Sequence, residues 1–175
     1  FSSEHQNSTN SLCLNISWYN IPLTTHPALN LPPHSLQLKL EADTTWVFDP
    51  CRKKYRQLTP EEWVRQHFLH YLIHHRSYPA SLIKVEGGLY VNKLQKRSDL
   101  LVHGRAGSPW MLIECNPYSL SLSKQHFQQA AMYNGTLGAK YITLTNGLAH
   151  HCFQIDLTQN KLIPQADLPV YPAVV

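Results

Sequence analysis

The sequence predicts an α/β protein in which a mixed β-sheet is flanked by helices. The main evidence is a pair of short apolar runs, 97–102 and 111–116, joined by the loop His103–Pro109, which holds two glycines and a proline. Such runs are typical of neighbouring strands in a sheet that is covered on both faces. Helical segments precede and follow this hairpin, so the predicted order is helix, three strands, helix, two strands.

The composition fits one domain. The chain has 175 residues, 43% of them hydrophobic, which is enough for a single core, and its net charge of +4 is compatible with a polyanionic partner. The four cysteines are far apart and form no C-x-x-C pair, so a zinc knuckle or a disulfide framework is not indicated. No apolar run approaches the roughly 20 residues that span a bilayer. We expect a cytoplasmic protein without a membrane partner.

The domain is expected to span residues 35–165. Residues 1–34 are rich in Ser, Asn, Thr and Pro and predict an irregular or disordered tail, and 166–175 are interpreted as a C-terminal tail. From Leu36 onward, Leu36, Leu38 and Leu40 alternate with polar residues, and Trp46–Phe48 follows. This pattern predicts an N-terminal hairpin of two edge strands.

Two helices carry clear start signals. Thr59 is the predicted N-cap of the first, with Pro60 at its first position and acidic residues in its first turn, and this helix should run to about His75. Ser123 is the predicted N-cap of the second, which should end near Leu137 with Gly135 to Gly138 as its exit.

The remaining strands follow from apolar runs and turn residues. Ser81–Glu86 predicts a strand, with Gly87-Gly88 as a turn or bulge before Tyr90-Val91. Tyr141–Thr145 and Cys152–Ile155 flank Asn146-Gly147 and predict a hairpin.

Asp99 and Glu114 each end one of the two central apolar runs. A carboxylate at such a place is costly unless it is paired or holds a cation. Two of them on adjacent strands, with a backbone carbonyl beside one, offer the oxygen ligands that Mg²⁺ prefers. The alternative is pairing with nearby cations, for which Arg97, Lys96 and Lys93 are the candidates.

From about Leu31 to Ile155 the sequence resembles the N-terminal nuclease domain of type I restriction enzyme R subunits, in particular the short stand-alone bacterial proteins, within the PD-(D/E)xK nuclease superfamily. The stretches that carry this resemblance are Phe48-Asp49-Pro50, Arg52-Lys53-Lys54, Leu58–Phe68, Arg97-Ser98-Asp99, Ile113-Glu114-Cys115, Tyr133-Asn134 and Thr145-Asn146-Gly147. It implies a restriction-endonuclease-like fold, hydrolysis of DNA with Mg²⁺ or Mn²⁺, and a bacterial cytoplasmic protein.

The resemblance also implies roles for individual residues. Asp99 and Glu114 would bind the metal, with the Cys115 carbonyl as a further ligand. Gln129 and Tyr133 match a Q-x-x-x-Y motif that would orient the site or the DNA. For these two, the alternatives are an exposed helix position and a core aromatic. The chain has no Walker-type loop, so the ATP-driven motor of full R subunits is not expected here.

One position departs from the motif. The resemblance implies a lysine two residues after Glu114, where this chain has Asn116 followed by Pro117. Loss of a preorganised charged group typically costs about 10²- to 10³-fold in rate. Lys124, near the start of the second helix, is a candidate replacement. The leading hypothesis is therefore a weakened Mg²⁺-dependent deoxyribonuclease, and the alternative is a catalytically inactive module that binds nucleic acid or a protein.

Three further groups have competing interpretations. Glu62 is either a metal ligand or the third residue of a capping box with Thr59, and the cap is favoured. His67, His70 and His74 share one side of a helix, which is compatible with a transition metal but more typical of a solvated surface. Arg52, Lys53, Lys54 and Arg56 form a basic cluster that either contacts phosphates or is solvated.

Overall fold

The computed structural model describes residues 26–91, 94–156, 158–159 and 161–172, without the side chains of 87–97. These residues form a three-stranded sheet, a six-stranded sheet and two α-helices. The predicted α/β class, with helices flanking a mixed sheet, is confirmed.

The smaller sheet contains the predicted N-terminal hairpin and one more strand. Its strands are β1 (Leu38–Glu41), β2 (Thr44–Asp49) and β3 (Lys54–Gln57), all antiparallel and in sequence order. The additional strand, β3, was not predicted because Lys54-Tyr55-Arg56-Gln57 has no apolar alternation.

The larger sheet also follows sequence order. Its strands are β4 (Ile83–Val91), β5 (Leu94–His103), β6 (Pro109–Cys115), β7 (Tyr141–Thr145), β8 (His150–Asp156) and β9 (Lys161–Gln165). Neighbouring strands are antiparallel except β6 and β7, which are parallel and therefore need a helical crossover. The two central strands and the hairpin after them were predicted correctly, whereas β9 was missed.

The helices begin where their caps predict. In α1 (Pro60–His74), the Thr59 hydroxyl accepts a hydrogen bond from the Glu62 N–H at 3.1 Å. A short 3-10 helix, Ala80–Leu82, precedes β4. Ser123 caps α2 (Lys124–Leu137), which ends at Gly138 in the left-handed conformation with φ 72°. Gly135, predicted to lie in the exit of α2, is inside the helix instead.

The two α-helices cover opposite faces of the larger sheet. The side chains of β6 alternate between two hydrophobic clusters: Met111 and Ile113 pack with Val64 and Phe68 of α1, while Leu112 packs with residues of α2. Met111, Leu112 and Ile113 are fully buried, and each such side chain contributes about 1.5–3 kcal/mol. Glu114 alternates in step with Leu112 and is thereby directed to the α2 side.

Residues 26–34 correct the predicted N-terminal tail. They form no helix or strand, as expected, but they are packed on the domain. Leu29 and Leu31 lie against the main core, and the Asn30 N–H donates to the Gly147 carbonyl at 2.7 Å. The packing of this segment was not predicted from the sequence, because its buried positions follow neither helical nor strand periodicity. Residues 1–25 lie outside the described part of the chain.

Residues 166–172 correct the predicted C-terminal tail in the same way. Leu168 and Tyr171 are buried in the main core, and the Tyr78 hydroxyl donates to the Pro169 carbonyl at 2.6 Å. The Tyr171 hydroxyl donates to the His103 carbonyl at 3.0 Å. The C-terminal segment therefore closes the α1 side of the core.

Over the residues that the structure describes, no helix is both long and apolar enough to cross a membrane.

Candidate functional site

Asp99 and Glu114 meet where β5 and β6 separate. The last paired residues before this point are Leu100 of β5 and Ile113 of β6. Beyond this pair, the Cys115 N–H donates to Asp99 Oδ2 at 2.6 Å. The Asp99 carboxylate thus completes the strand pairing and is held in position beside Glu114.

Arg65 of α1 is the ionic partner of Asp99. Its Nη2 atom lies 2.6 Å from Asp99 Oδ1, and the guanidinium also forms ion pairs with Glu61 and Glu62. Burial lowers the pKa of Arg65, but Asp99 and the other neighbouring anions raise it above its ordinary value. Of the cations proposed from sequence as partners, Arg97, Lys96 and Lys93 all have side chains outside the described set.

A buried network holds Arg65 and its neighbours in place. Gln66 Nε2 donates to both Asp49 Oδ2 and Glu62 Oε1 at 2.8 Å. Arg52 donates to the same two carboxylates, from Nε to Asp49 and from Nη2 to Glu62, each at 2.8 Å. These bonds connect the end of β2 to α1 and, through Arg65, to Asp99.

The structure changes the interpretation of the basic cluster formed by Arg52, Lys53, Lys54 and Arg56. Arg52 Nη1 lies 2.8 Å and Arg56 Nη2 lies 2.7 Å from Glu86 Oε2. Both arginines are thus engaged by a carboxylate, while Lys53 and Lys54 are exposed. The phosphate-contacting interpretation is restricted to the two lysines. Glu62 forms only half of the favoured capping box, since its N–H bonds to Thr59 while its carboxylate bonds to the arginines and Gln66.

Glu114 has a strongly perturbed carboxyl group. Burial raises its pKa to about 8, the negative charge of Asp99 adds to the rise, and Arg65 opposes it. Within the described residues, the Glu114 carboxylate has neither a hydrogen-bond nor an ion-pair partner. A cation bound nearby would compensate the negative charge of the ionised Glu114 carboxylate.

The Glu114 side chain lines a cleft of about 390 Å³ between the ends of the strands and α2. The cleft is lined by Glu114, Asn116, His126, Gln129, Ala130, Tyr133 and Leu144. It therefore brings together four of the residues singled out from sequence: Glu114, Asn116, Gln129 and Tyr133. Gln129 is exposed, and Tyr133 is buried in the cluster under α2. Asp99 is not part of the lining, and its carboxylate is bonded to Arg65 of α1.

The backbone of Asn116 is held in place at the end of β6. Its N–H donates to the Thr145 carbonyl at 2.7 Å, which continues the parallel pairing of β6 and β7. The side chain at position 116 lines the cleft beside Glu114. A lysine at this position would start from the same backbone site.

His126 and Arg65 were missed from sequence as site residues. His126 is the third residue of α2, and its Nδ1 accepts the Ser123 N–H at 3.1 Å in a capping box. A Ser-x-x-His spacing at a helix start was the available signal for His126. For Arg65 no local signal exists, because Asp99 is 34 residues away.

Lys124, the candidate replacement for the motif lysine, lines a different groove. That groove measures about 300 Å³ and contains Phe127, His151 and Phe153. Lys124 is exposed at the first turn of α2 and is not among the residues around Glu114. Its side chain would have to turn out of this groove to reach the carboxylates.

The donor chemistry at Asp99 and Glu114 fits a hard divalent cation. Both groups supply carboxylate oxygens, and the unpartnered, partly buried Glu114 carboxylate beside a second anion is the electrostatic setting that such an ion stabilises. Asp99 already accepts one hydrogen bond on each oxygen, and each oxygen keeps a further lone pair. The Cys115 carbonyl remains a prediction as a ligand. The Cys115 thiol is buried, and burial raises its pKa well above the ordinary value.

Comparison with known proteins gives one family and one structural relative. The model of the family described as "Type I restriction enzyme R protein N terminus" matches residues 60–169. A solved structure described as "The fragment structure of a putative HsdR subunit of a type I restriction enzyme from Vibrio vulnificus YJ016" is 23% identical, with a TM-score of 0.47. The match covers 65% of this chain but 24% of that one. No curated protein matches significantly. Since the family model spans well over half of the sequence, the chain belongs to the family of type I restriction enzyme R protein N termini.

Proposed function

We propose that this chain binds DNA and that Asp99 and Glu114 together hold a Mg²⁺ or Mn²⁺ ion for phosphodiester hydrolysis, with Asn116 weakening the reaction. The observation that carries the proposal is the shared cleft of Glu114, Asn116, Gln129 and Tyr133 next to Asp99. Membership of the restriction enzyme family makes DNA the expected substrate.

Each residue has a distinct part in this proposal. Asp99 is oriented by the Cys115 N–H and neutralised by Arg65, so it offers its oxygens in a fixed position. Glu114 gains most from a cation, because its ionised form otherwise lies unpaired beside Asp99. A bound Mg²⁺ would polarise the phosphate and lower the pKa of a coordinated water. Gln129 is exposed on the cleft wall and is proposed to contact the DNA backbone.

Asn116 limits the catalytic rate in this account. A lysine there would place a positive charge in the cleft to orient the attacking water and to offset charge on the phosphate. Asparagine donates hydrogen bonds but carries no charge. Arg65 does not replace the lysine, because it is buried and its guanidinium is engaged by three carboxylates. We therefore propose DNA binding with slow cleavage.

The experiment is a cleavage assay on single- and double-stranded DNA with Mg²⁺ and with Mn²⁺, alongside DNA binding measured at several salt concentrations. We expect binding that weakens as salt rises and slow cleavage that disappears in Asp99→Asn and in Glu114→Gln. Binding without any cleavage under all these conditions would favour the alternative, an inactive module that binds nucleic acid. Absence of DNA binding would contradict the proposal.

A further inference from the structure

The residues His34, His70 and His74 form a cluster outside the cleft. His70 and His74 are four residues apart on α1 and so lie on one face of the helix. The packed N-terminal segment, residues 26–37, brings His34 onto them: its ring centroid is 3.8 Å from that of His70 and 5.1 Å from that of His74. One ring nitrogen from each histidine lies within 4.8 Å of the others.

We propose that His34, His70 and His74 bind a transition-metal ion, with Zn²⁺ as the expected occupant. Imidazole nitrogen is a ligand that Zn²⁺ prefers, and three histidines with a water molecule form an established type of zinc coordination. This site differs from the carboxylate site in its ligands, its metal class and its position. It therefore does not depend on the proposed nuclease function.

Two features of the cluster support metal binding. Burial and the neighbouring histidines lower the pKa of His34, and burial followed by His34 and His74 lowers that of His70 to about 4. These two rings are thus neutral at pH 7, which is the form that binds a metal. The buried Nδ1 atom of His70 has no hydrogen-bond partner in the described structure, so this nitrogen has an unmet need for a donor or a metal ion.

Only a small movement of the three histidine side chains is needed for them to coordinate the ion. Zinc–nitrogen bonds of about 2.0–2.1 Å in a tetrahedral site place ligand nitrogens about 3.3 Å apart. The nitrogens must therefore approach one another by up to about 1.5 Å from their present limit of 4.8 Å. His74 is exposed and His34 belongs to an irregular segment, so both can rotate without disturbing the core. The bound ion would connect that segment to α1.

The test is calorimetric titration of the metal-free full chain with Zn²⁺, repeated with Co²⁺, whose visible absorption reports tetrahedral nitrogen ligands. We expect one ion per chain, and binding about 10²-fold or more weaker in His34→Gln, His70→Gln and His74→Gln. His75→Gln is the matched control, because His75 follows His74 directly but is not part of the cluster. Glu114→Gln controls for the carboxylate site, and both controls should bind Zn²⁺ as the natural chain does.

Exposed His74 provides the decisive variant, since its replacement should not affect folding. Unchanged Zn²⁺ affinity in His74→Gln, with an unchanged melting temperature, would overturn the proposal. So would the absence of Zn²⁺ binding by the natural chain at about 0.1 mM metal, well above the affinity range of structural zinc sites. Loss of binding in Glu114→Gln but not in the histidine variants would assign the ion to the cleft and would equally refute this site.

Discussion

Arg65 Nη2 donates to Asp99 Oδ1 across 2.6 Å and so joins the first helix to the strand end that carries a proposed metal ligand. The side chain of Arg65 is only 5% exposed, and those of Glu62 and Asp99 are 6% and 17% exposed. Two of the stretches that carry the family resemblance, Leu58–Phe68 and Arg97-Ser98-Asp99, thus meet through one guanidinium. Arg65 balances charge that would otherwise be buried without compensation.

Replacing Arg65 with methionine should destabilise the protein strongly. The substitution keeps most of the side-chain volume but leaves Asp99 without its cation and Glu62 with Arg52 alone. Breaking a buried ion pair in this way typically costs about 3–5 kcal/mol. Urea unfolding measures the loss. Arg105→Met is the control, because Arg105 is exposed, and it should change the free energy of unfolding by about 0.5 kcal/mol or less. Equal effects of the two substitutions would show that the buried network does not contribute to stability.

Glu114 should make the stability of the metal-free protein depend on pH. Its folded pKa of about 8 lies above the ordinary glutamate value of 4.5, so between these values the folded state holds a proton that the unfolded state has lost. Stability should therefore fall as pH rises from about 4.5 to 8 and level off above that range. Glu114→Gln removes this ionisation and should stabilise the protein at pH 8 by up to a few kcal/mol.

The advantage of Glu114→Gln should vanish near pH 4.5, where the natural carboxyl group is protonated in the folded state. Thermal unfolding of both chains in a chelator, at several pH values, measures this difference. Glu41→Gln is a control, because the Glu41 side chain is 63% exposed. A difference between Glu114→Gln and the natural chain that is constant from pH 4.5 to 8 would contradict the raised pKa.

The packed N-terminal segment should contribute measurably to stability. A chain that starts at residue 32 lacks Leu29, Leu31 and the hydrogen bond from Asn30 to Gly147. We expect it to be about 2–4 kcal/mol less stable than a chain that starts at residue 26, because both leucines bury part of their apolar surface. Denaturant unfolding compares the two chains, and equal stability would show that these contacts are unimportant.

Divalent cations should bind through the two strand-end carboxylates together. Calorimetric titration with Mg²⁺ or Mn²⁺ should show binding that disappears in Asp99→Asn and in Glu114→Gln, because each variant removes an ionised ligand. His74→Gln should bind these ions as the natural chain does, since it alters only the histidine cluster. If both carboxylate variants kept full affinity, the hard-metal site would be wrong.

Local signals predicted most of the fold. Thr59-Pro60 and Ser123 marked both helix starts, and the Asn146-Gly147 turn correctly joined the strands now seen as β7 and β8. The strand β9 was missed because four of its five residues are exposed and it contains Pro164, so it has no buried face to give a pattern. The packed ends of the domain were missed for a related reason, since Leu29 and Tyr171 lie on irregular segments but pack against the core.

The candidate site was predicted less completely than the fold. Glu114 and Asn116 are two residues apart at the end of β6, and α2 is the next element along the chain, so their cleft with Gln129 could be anticipated. Arg65 and His34 reach their partners only through tertiary packing, from 34 and 36 positions away along the chain. Side-chain contacts at such separations leave no periodic trace in one sequence.

The effect of lysine at position 116 on DNA cleavage tests the central claim most directly. With Mg²⁺ or Mn²⁺ present, Asn116→Lys should cleave DNA about 10²-fold faster than the natural chain, because it restores a charge beside Glu114. Asn116→Met controls for side-chain length without charge and should give no increase. Lys124→Ala should leave the slow natural rate unchanged, since Lys124 lines the other groove.

The account is contradicted if the natural chain and Asn116→Lys are both inactive while folding, metal binding and DNA binding are intact, which would favour the inactive binding module. It is also contradicted if the natural chain already cuts rapidly, Lys124→Ala abolishes cutting and Asn116→Lys adds nothing, because Lys124 would then supply the charge. A roughly 10²-fold gain in cleavage rate that is specific to lysine at position 116 is the result that the account predicts.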